Sequence, residues 1–135
     1  MKLAADTSVI VAAFASWHES HERARRAIDA GAALIAHCAV ETYSVLTRLP
    51  TPHRAPGELV AAFLVQRFPA APLTLPGAAL AKLLSRIASE GIAGGAVYDA
   101  LVAATAVHHG RALVTLDLRA RAVYQRLGVE ARFVG

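Results

Sequence analysis

Tyr98-Asp99-Ala100-Leu101-Val102-Ala103-Ala104-Thr105-Ala106-Val107-His108-His109-Gly110 runs directly into Arg111-Ala112-Leu113-Val114-Thr115-Leu116-Asp117. The first half, extended back to Ala96, is rich in Ala and Leu, which favour helix. His108 and His109 suit its last turn, and Gly110 suits the left-handed position that ends a helix. The run at 112–115 is short, apolar and of strand length. Both elements carry an acid at one end. Asp99 lies in the first turn or so of the helix, and Asp117 lies two residues beyond the strand.

The same alternation extends outward over the whole chain. Strands are predicted at 2–5, 33–36, 73–75, 112–115 and 131–134. Helices are predicted at 8–15, 18–30, 37–49, 56–68, 77–90, 96–109 and 118–127. Gly31 and Gly91 suit helix ends, Pro50 and Pro52 stop one helix, and Pro56 opens the next. Short apolar runs alternating with amphipathic ones predict an α/β fold with a parallel sheet covered on both faces. Ligands bind such sheets beyond the carboxyl ends of the strands, where the strand order reverses.

Four acids fall at that end. Asp6 follows the first strand, Glu41 lies early in the helix after the second, and Asp99 and Asp117 flank the fourth. Only four Asp occur in the chain, and three belong to this set. Each sits in or beside an apolar segment, where an unpaired charge is costly to bury. Singly, an Asp at a helix start is explained as a cap, and Glu41 as a surface residue. Jointly, four acids at matching element ends point to one cluster. Converging carboxylates suit hard divalent cations, Mg²⁺ or Mn²⁺, and the chemistry that follows is metal-assisted phosphodiester hydrolysis.

Composition narrows the alternatives. The chain has 135 residues and 56% hydrophobic content, enough for a single domain over 1–135 with its own core. Cys38 is the only cysteine, which excludes an internal disulfide and a Cys-rich zinc site and fits a reducing cytoplasm. A formal net charge of +4 favours a polyanionic partner. Lys2 and the apolar run to Ala15 faintly resemble a signal peptide, but Asp6 interrupts them where such peptides avoid acids. No apolar stretch reaches the length of a membrane span. Walker A, Gly-x-Ser-x-Gly and Gly-x-Gly-x-x-Gly stretches are missing. The hydroxyls of Thr7, Ser8 and Thr115 stand beside the acids, where they suit orienting a water or a carboxylate, or a local backbone hydrogen bond. Arg119 and Arg121 suit phosphate contact, with Ser8 beside them, or a solvated helix face.

Asp6-Thr-Ser-Val-Ile, Val40-Glu41-Thr-Tyr, and Asp99-Ala-Leu-Val-Ala-Ala-Thr-Ala followed by His-Gly and Leu-Val-Thr-Leu-Asp117 resemble PIN-domain ribonucleases. Length and charge are similar to the VapC-type toxins of bacterial toxin–antitoxin pairs. The resemblance implies a three-layer α/β/α sandwich with a central parallel sheet of about five strands. It implies a metal site on Asp6, Glu41, Asp99 and Asp117 accompanied by Thr115. It further implies Mg²⁺- or Mn²⁺-dependent cleavage of RNA, a homodimer, and a small antitoxin that covers the site. Some members carry a further acid shortly after the fourth; here Leu118, Arg119, Ala120 and Arg121 follow instead. The loop from Pro50 to Pro56, with Trp17 and Phe14, is where substrate or antitoxin contacts are expected. Two other readings compete. One is a phosphatase of the haloacid dehalogenase type, although Ser8 stands where that class has its second Asp. The other is a catalytically silent PIN-like module that binds RNA or protein.

Overall fold

Ala4 and Ala5 have no solvent exposure, and the strand they form, β1 (Leu3–Ala5), is an interior strand of the sheet. The computed structural model describes residues 1–135. The chain continues through α1 (Thr7–Phe14), α2 (His21–Asp29), β2 (Ala33–Leu34), α3 (Ala36–Thr47), α4 (Gly57–Arg67), α5 (Gly77–Ser89) and α6 (Ala96–His108). It then forms β3 (Ala112–Thr115), a 3-10 turn (Leu118–Ala120), α7 (Arg121–Leu127) and β4 (Ala131–Phe133). All strand pairs are parallel, in the order β2-β1-β3-β4. Ala4 pairs with Ala33 on one side and Leu113 on the other, and Leu113 pairs with Ala131.

Parallel neighbours need crossovers, and these put helices on both faces, giving the three-layer α/β/α sandwich. Helix α1 packs against both α2 and α3, and α3 against α4, while α6 packs against both α5 and α7. Helix α1 has little helical propensity of its own, with Val9, Ile10 and Val11 in succession. Its stability comes from burial, since Val9, Ile10 and Ala12 have no solvent exposure. Truncating Ile10 or Leu113 to Ala would cost about 2–5 kcal/mol by the usual cavity argument. Leu46, Ala55 and Val60 form a smaller second core between α3 and α4, against which Phe14 packs.

The run at 73–75 does not become a full strand. Leu73 makes one parallel bridge to Ile35, its N–H donating to Leu34 O at 2.8 Å. Pro72 and Pro76 flank it, and proline has no N–H to extend a ladder. The sheet therefore has four strands and an edge bridge where five strands were expected. The other differences are at element ends. Helix α2 begins at His21 rather than 18, because residues 15–20 turn; the last helix starts as a 3-10 turn. Gly31, Gly91, Gly110 and Gly128 all adopt positive φ at helix ends, which side-chain-bearing residues rarely do.

Candidate functional site

Strand order reverses between β1 and β3, since β2 lies on one side of β1 and β3 and β4 on the other. Asp6 leaves the carboxyl end of β1 there, and Thr115 ends β3 beside it. The backbone N–H of Asp6 donates to Val114 O at 3.1 Å, tying the two strand ends together. Asp6 also caps α1, as an Asp in this place should.

The Asp6 carboxylate is 3% exposed and accepts four hydrogen bonds. Ser8 Oγ at 2.5 Å and Val9 N–H at 3.4 Å reach Oδ1. Thr115 Oγ1 at 2.5 Å and Tyr124 OH at 2.8 Å reach Oδ2. Neither short hydroxyl is free to turn. Ser8 Oγ accepts from Leu116 N–H at 2.8 Å, and Thr115 Oγ1 accepts from Asp117 N–H at 3.0 Å. Each must donate toward Asp6. Burial pushes the Asp6 carboxyl above its ordinary value of 3.8, and the four donors oppose that shift. The Tyr124 hydroxyl is pushed up strongly, first by burial and then by the adjacent Asp6 charge, so it stays a donor.

The other three acids line the same cavity of about 280 Å³, together with Ser8, Tyr98, Arg119 and Tyr124. Helix α6 brings Asp99 from one side and α3 brings Glu41 from the other. Arg119 joins two of the acids: its guanidinium donates to Asp99 Oδ2 at 3.2 Å and Asp117 Oδ2 at 3.0 Å. Burial raises the Asp99 carboxyl, Arg119 opposes the shift, and Asp117 and Glu41 add to it. Arg119 in turn is raised by the two acids that hold it. Glu41 lies 3.7 Å from His37 Nε2, a buried nitrogen with no hydrogen-bond partner. A larger open depression of about 880 Å³ adjoins the cavity and shares Thr7, Ser8, Glu41 and Asp117 with it.

The donor set fits a hard divalent cation in charge and chemistry, and the guanidinium of Arg119 already stands as a cation between two of the acids. As they stand, no three His, Cys, Asp or Glu side chains converge as a ligand group. The reason is visible in the bonds. Asp6 has about four lone-pair positions and four donors on them; the 3.4 Å bond from Val9 is the weakest to give up. Asp99 and Asp117 are shared with Arg119, and Glu41 leans to His37.

The sequence therefore located the four acids, Ser8 and Thr115 at one place. Arg119 is there too, but engaged with acids. Arg121 does not line the acid cavity itself but an adjoining depression that shares Asp117 and Tyr124 with it and runs beside Phe133 and Ala131. Phe14 packs edge-on against Phe63 at 5.3 Å, and Trp17, half exposed, lies against His53 at 4.2 Å. Cys38 is fully buried with its thiol pushed up to about 12 by that burial, which removes it as a nucleophile. Sequence reasoning missed Tyr98, which lines the cavity, and Tyr124. The spacing of Tyr124 from Ala120 and Leu127 marks a buried helix face, and a buried tyrosine hydroxyl needs an acceptor.

Comparison with known proteins agrees with this geometry. The model of the PIN domain family matches residues 4–125. Ribonuclease VapC40 of Mycobacterium tuberculosis, in strains CDC 1551 / Oshkosh and ATCC 25618 / H37Rv, is 51% identical over 132 residues, 98% of each chain. Ribonuclease VapC27 of the H37Rv strain is 43% identical over 132 residues, covering 94% of this chain and 93% of the relative. Among solved structures, VapBC2 from Rickettsia felis bound to a DNA fragment from its promoter matches 98% of both chains with a TM-score of 0.67 and 13% identity. That last likeness is one of fold. On the family match and the two identities, the chain belongs to the PIN-domain family, and within it to the VapC type.

Proposed function

We propose that this chain is a metal-dependent endoribonuclease and the toxin of a toxin–antitoxin pair. The observation that carries the reading is four carboxylates around one cavity at the point where strand order reverses. The relatives named as ribonucleases support RNA as substrate.

Asp6, Glu41, Asp99 and Asp117 would hold Mg²⁺ or Mn²⁺. Bound there, such a cation supplies Lewis-acid chemistry that offsets charge on a phosphate and makes water a better nucleophile at neutral pH. The protein's own part is placement. Ser8, Thr115 and Tyr124 fix the Asp6 carboxylate in one orientation. Arg119 offsets part of the charge of Asp99 and Asp117, and once released from them its N–H groups would donate hydrogen bonds to a phosphate at the cavity mouth. The formal charge of +4 supports a polyanionic substrate.

A small antitoxin that covers the site, and a homodimer, belong to the same reading. Val40, Tyr43, Leu59 and Val65 expose apolar surface on α3 and α4, which supports a protein contact there. No helix is long and apolar enough to cross a membrane, and we place the protein in the cytoplasm with its RNA.

The hold of Arg119 on two of the acids favours one rival, a silent module that binds without cleaving. The haloacid dehalogenase reading fares worse, because Ser8 donates a hydrogen bond to Asp6 where that class has its second acid. RNA cleavage with Mg²⁺ or Mn²⁺, with and without EDTA, separates them. Wild type should cleave only with metal, and Asp6→Asn and Asp99→Asn should lose more than about 100-fold in rate. Cleavage that survives EDTA, or equal rates in the variants, contradicts the mechanism; RNA binding without cleavage selects the silent module.

A further inference from the structure

Tyr98 stands at the rim of the acid cavity, one residue before Asp99, and is 54% exposed. Its ring is not loose. His37 of α3 lies parallel to it, with centroids 5.2 Å apart and planes 6° from coplanar. His37 is itself held in place, three-quarters buried, with Nε2 facing Glu41. The result is an aromatic ring backed on one face and open on the other, at the edge of a cavity lined by all four carboxylates. An exposed aromatic is thus supported by a second ring at the edge of the acid cavity.

We propose that the open face of Tyr98 is a stacking platform for an unpaired nucleobase next to the scissile phosphate. The inference rests on RNA being the substrate. A base splayed from single-stranded RNA stacks on an aromatic side chain without regard to its hydrogen-bonding edge. The neighbouring acids repel the phosphates, so a contact to the uncharged base is what holds the strand while the cavity engages the backbone. The hydroxyl of Tyr98 is not required, but the flat ring is. His37 acts as a positioning residue: it supports the ring and does not touch the base.

Binding tests this without needing cleavage. A randomised pool of short, fluorescein-labelled single-stranded RNA is titrated with wild type, Tyr98→Phe, Tyr98→Leu and Tyr98→Ala in EDTA, following anisotropy. Phe should bind like wild type, while Leu and Ala weaken binding about 5- to 150-fold. Leu keeps apolar bulk but no π face, so its loss separates stacking from mere packing. Equal thermal midpoints across the series show that folding is intact. Leu binding as tightly as Phe would overturn the platform, and so would wild type failing to bind single-stranded RNA. Wild type that binds with this pattern but does not cleave with metal would leave the platform standing and remove the nuclease reading.

Discussion

Asp6 and Asp117 stand at equivalent places and meet opposite environments. Each follows a strand of the same sheet, and each caps the turn or helix that comes next. Asp6 is buried and its four donors are all internal. Asp117 is partly exposed, and its charged partner is Arg119, a side chain 69% exposed to water. The inner corner of the site is therefore fixed, and the outer rim is exchangeable. On the proposed metal reading the two corners divide the work: one holds its carboxylate in a single orientation, and the other carries a counter-ion that can leave.

The sharpest way to break the fixed corner is Tyr124→Phe. It removes one donor to Asp6 and leaves the ring packed. Partners that orient a metal-binding carboxylate are worth about 10–100-fold in metal affinity or activity, so Mn²⁺ affinity by calorimetry should fall about 10-fold or more. Unchanged affinity would show that Asp6 needs no such support.

The rim should behave in the opposite sense. Arg119→Ala frees Asp99 and Asp117, so Mn²⁺ affinity at low salt should rise about 2- to 5-fold, the scale of an exposed ion pair. The gain should shrink at high salt, because the pair it removes is screened. A drop in affinity would mean that Arg119 orients the acids instead of competing for them.

The smallest effect is on stability against pH in EDTA. Asp6 and Asp99 are both raised above 3.8, mainly by burial, so the folded protein binds their protons more tightly than the unfolded chain does. Stability should therefore increase as pH falls through their folded values towards 3.8, and be lost as pH rises back through that window. Glu90, lowered from 4.5 by Arg86, acts in reverse and only at lower pH, where its protonation removes stability. The thermal midpoint of Asp99→Asn should change less over that range than wild type. Parallel curves would exclude Asp99 from the effect.

Much of the fold and the site is legible in the order of residues. Gly110, Gly31 and the prolines mark element ends because backbone geometry restricts few residue types to those places. The order of strands and helices places Asp6, Glu41, Asp99 and Asp117 at one sheet end, since a parallel sheet points every strand the same way. The edge run at 73–75 is overestimated from sequence, because a strand's extent depends on the partner beside it and on the proline N–H groups that are missing.

Residue order by itself determined the fold class, the polarity of the sheet and the end at which the acids gather. These follow from local periodicity and chain direction, which are properties of neighbours in sequence. Only the tertiary structure decided how the acids differ. The Tyr124 hydroxyl on Asp6 spans 118 positions, and Thr115 reaches the same carboxylate across 109. Arg119 pairing with Asp99, and His37 stacking against Tyr98, likewise join separate elements. Such contacts depend on which helix faces pack together at the sheet's carboxyl end, and no spacing within one segment encodes that.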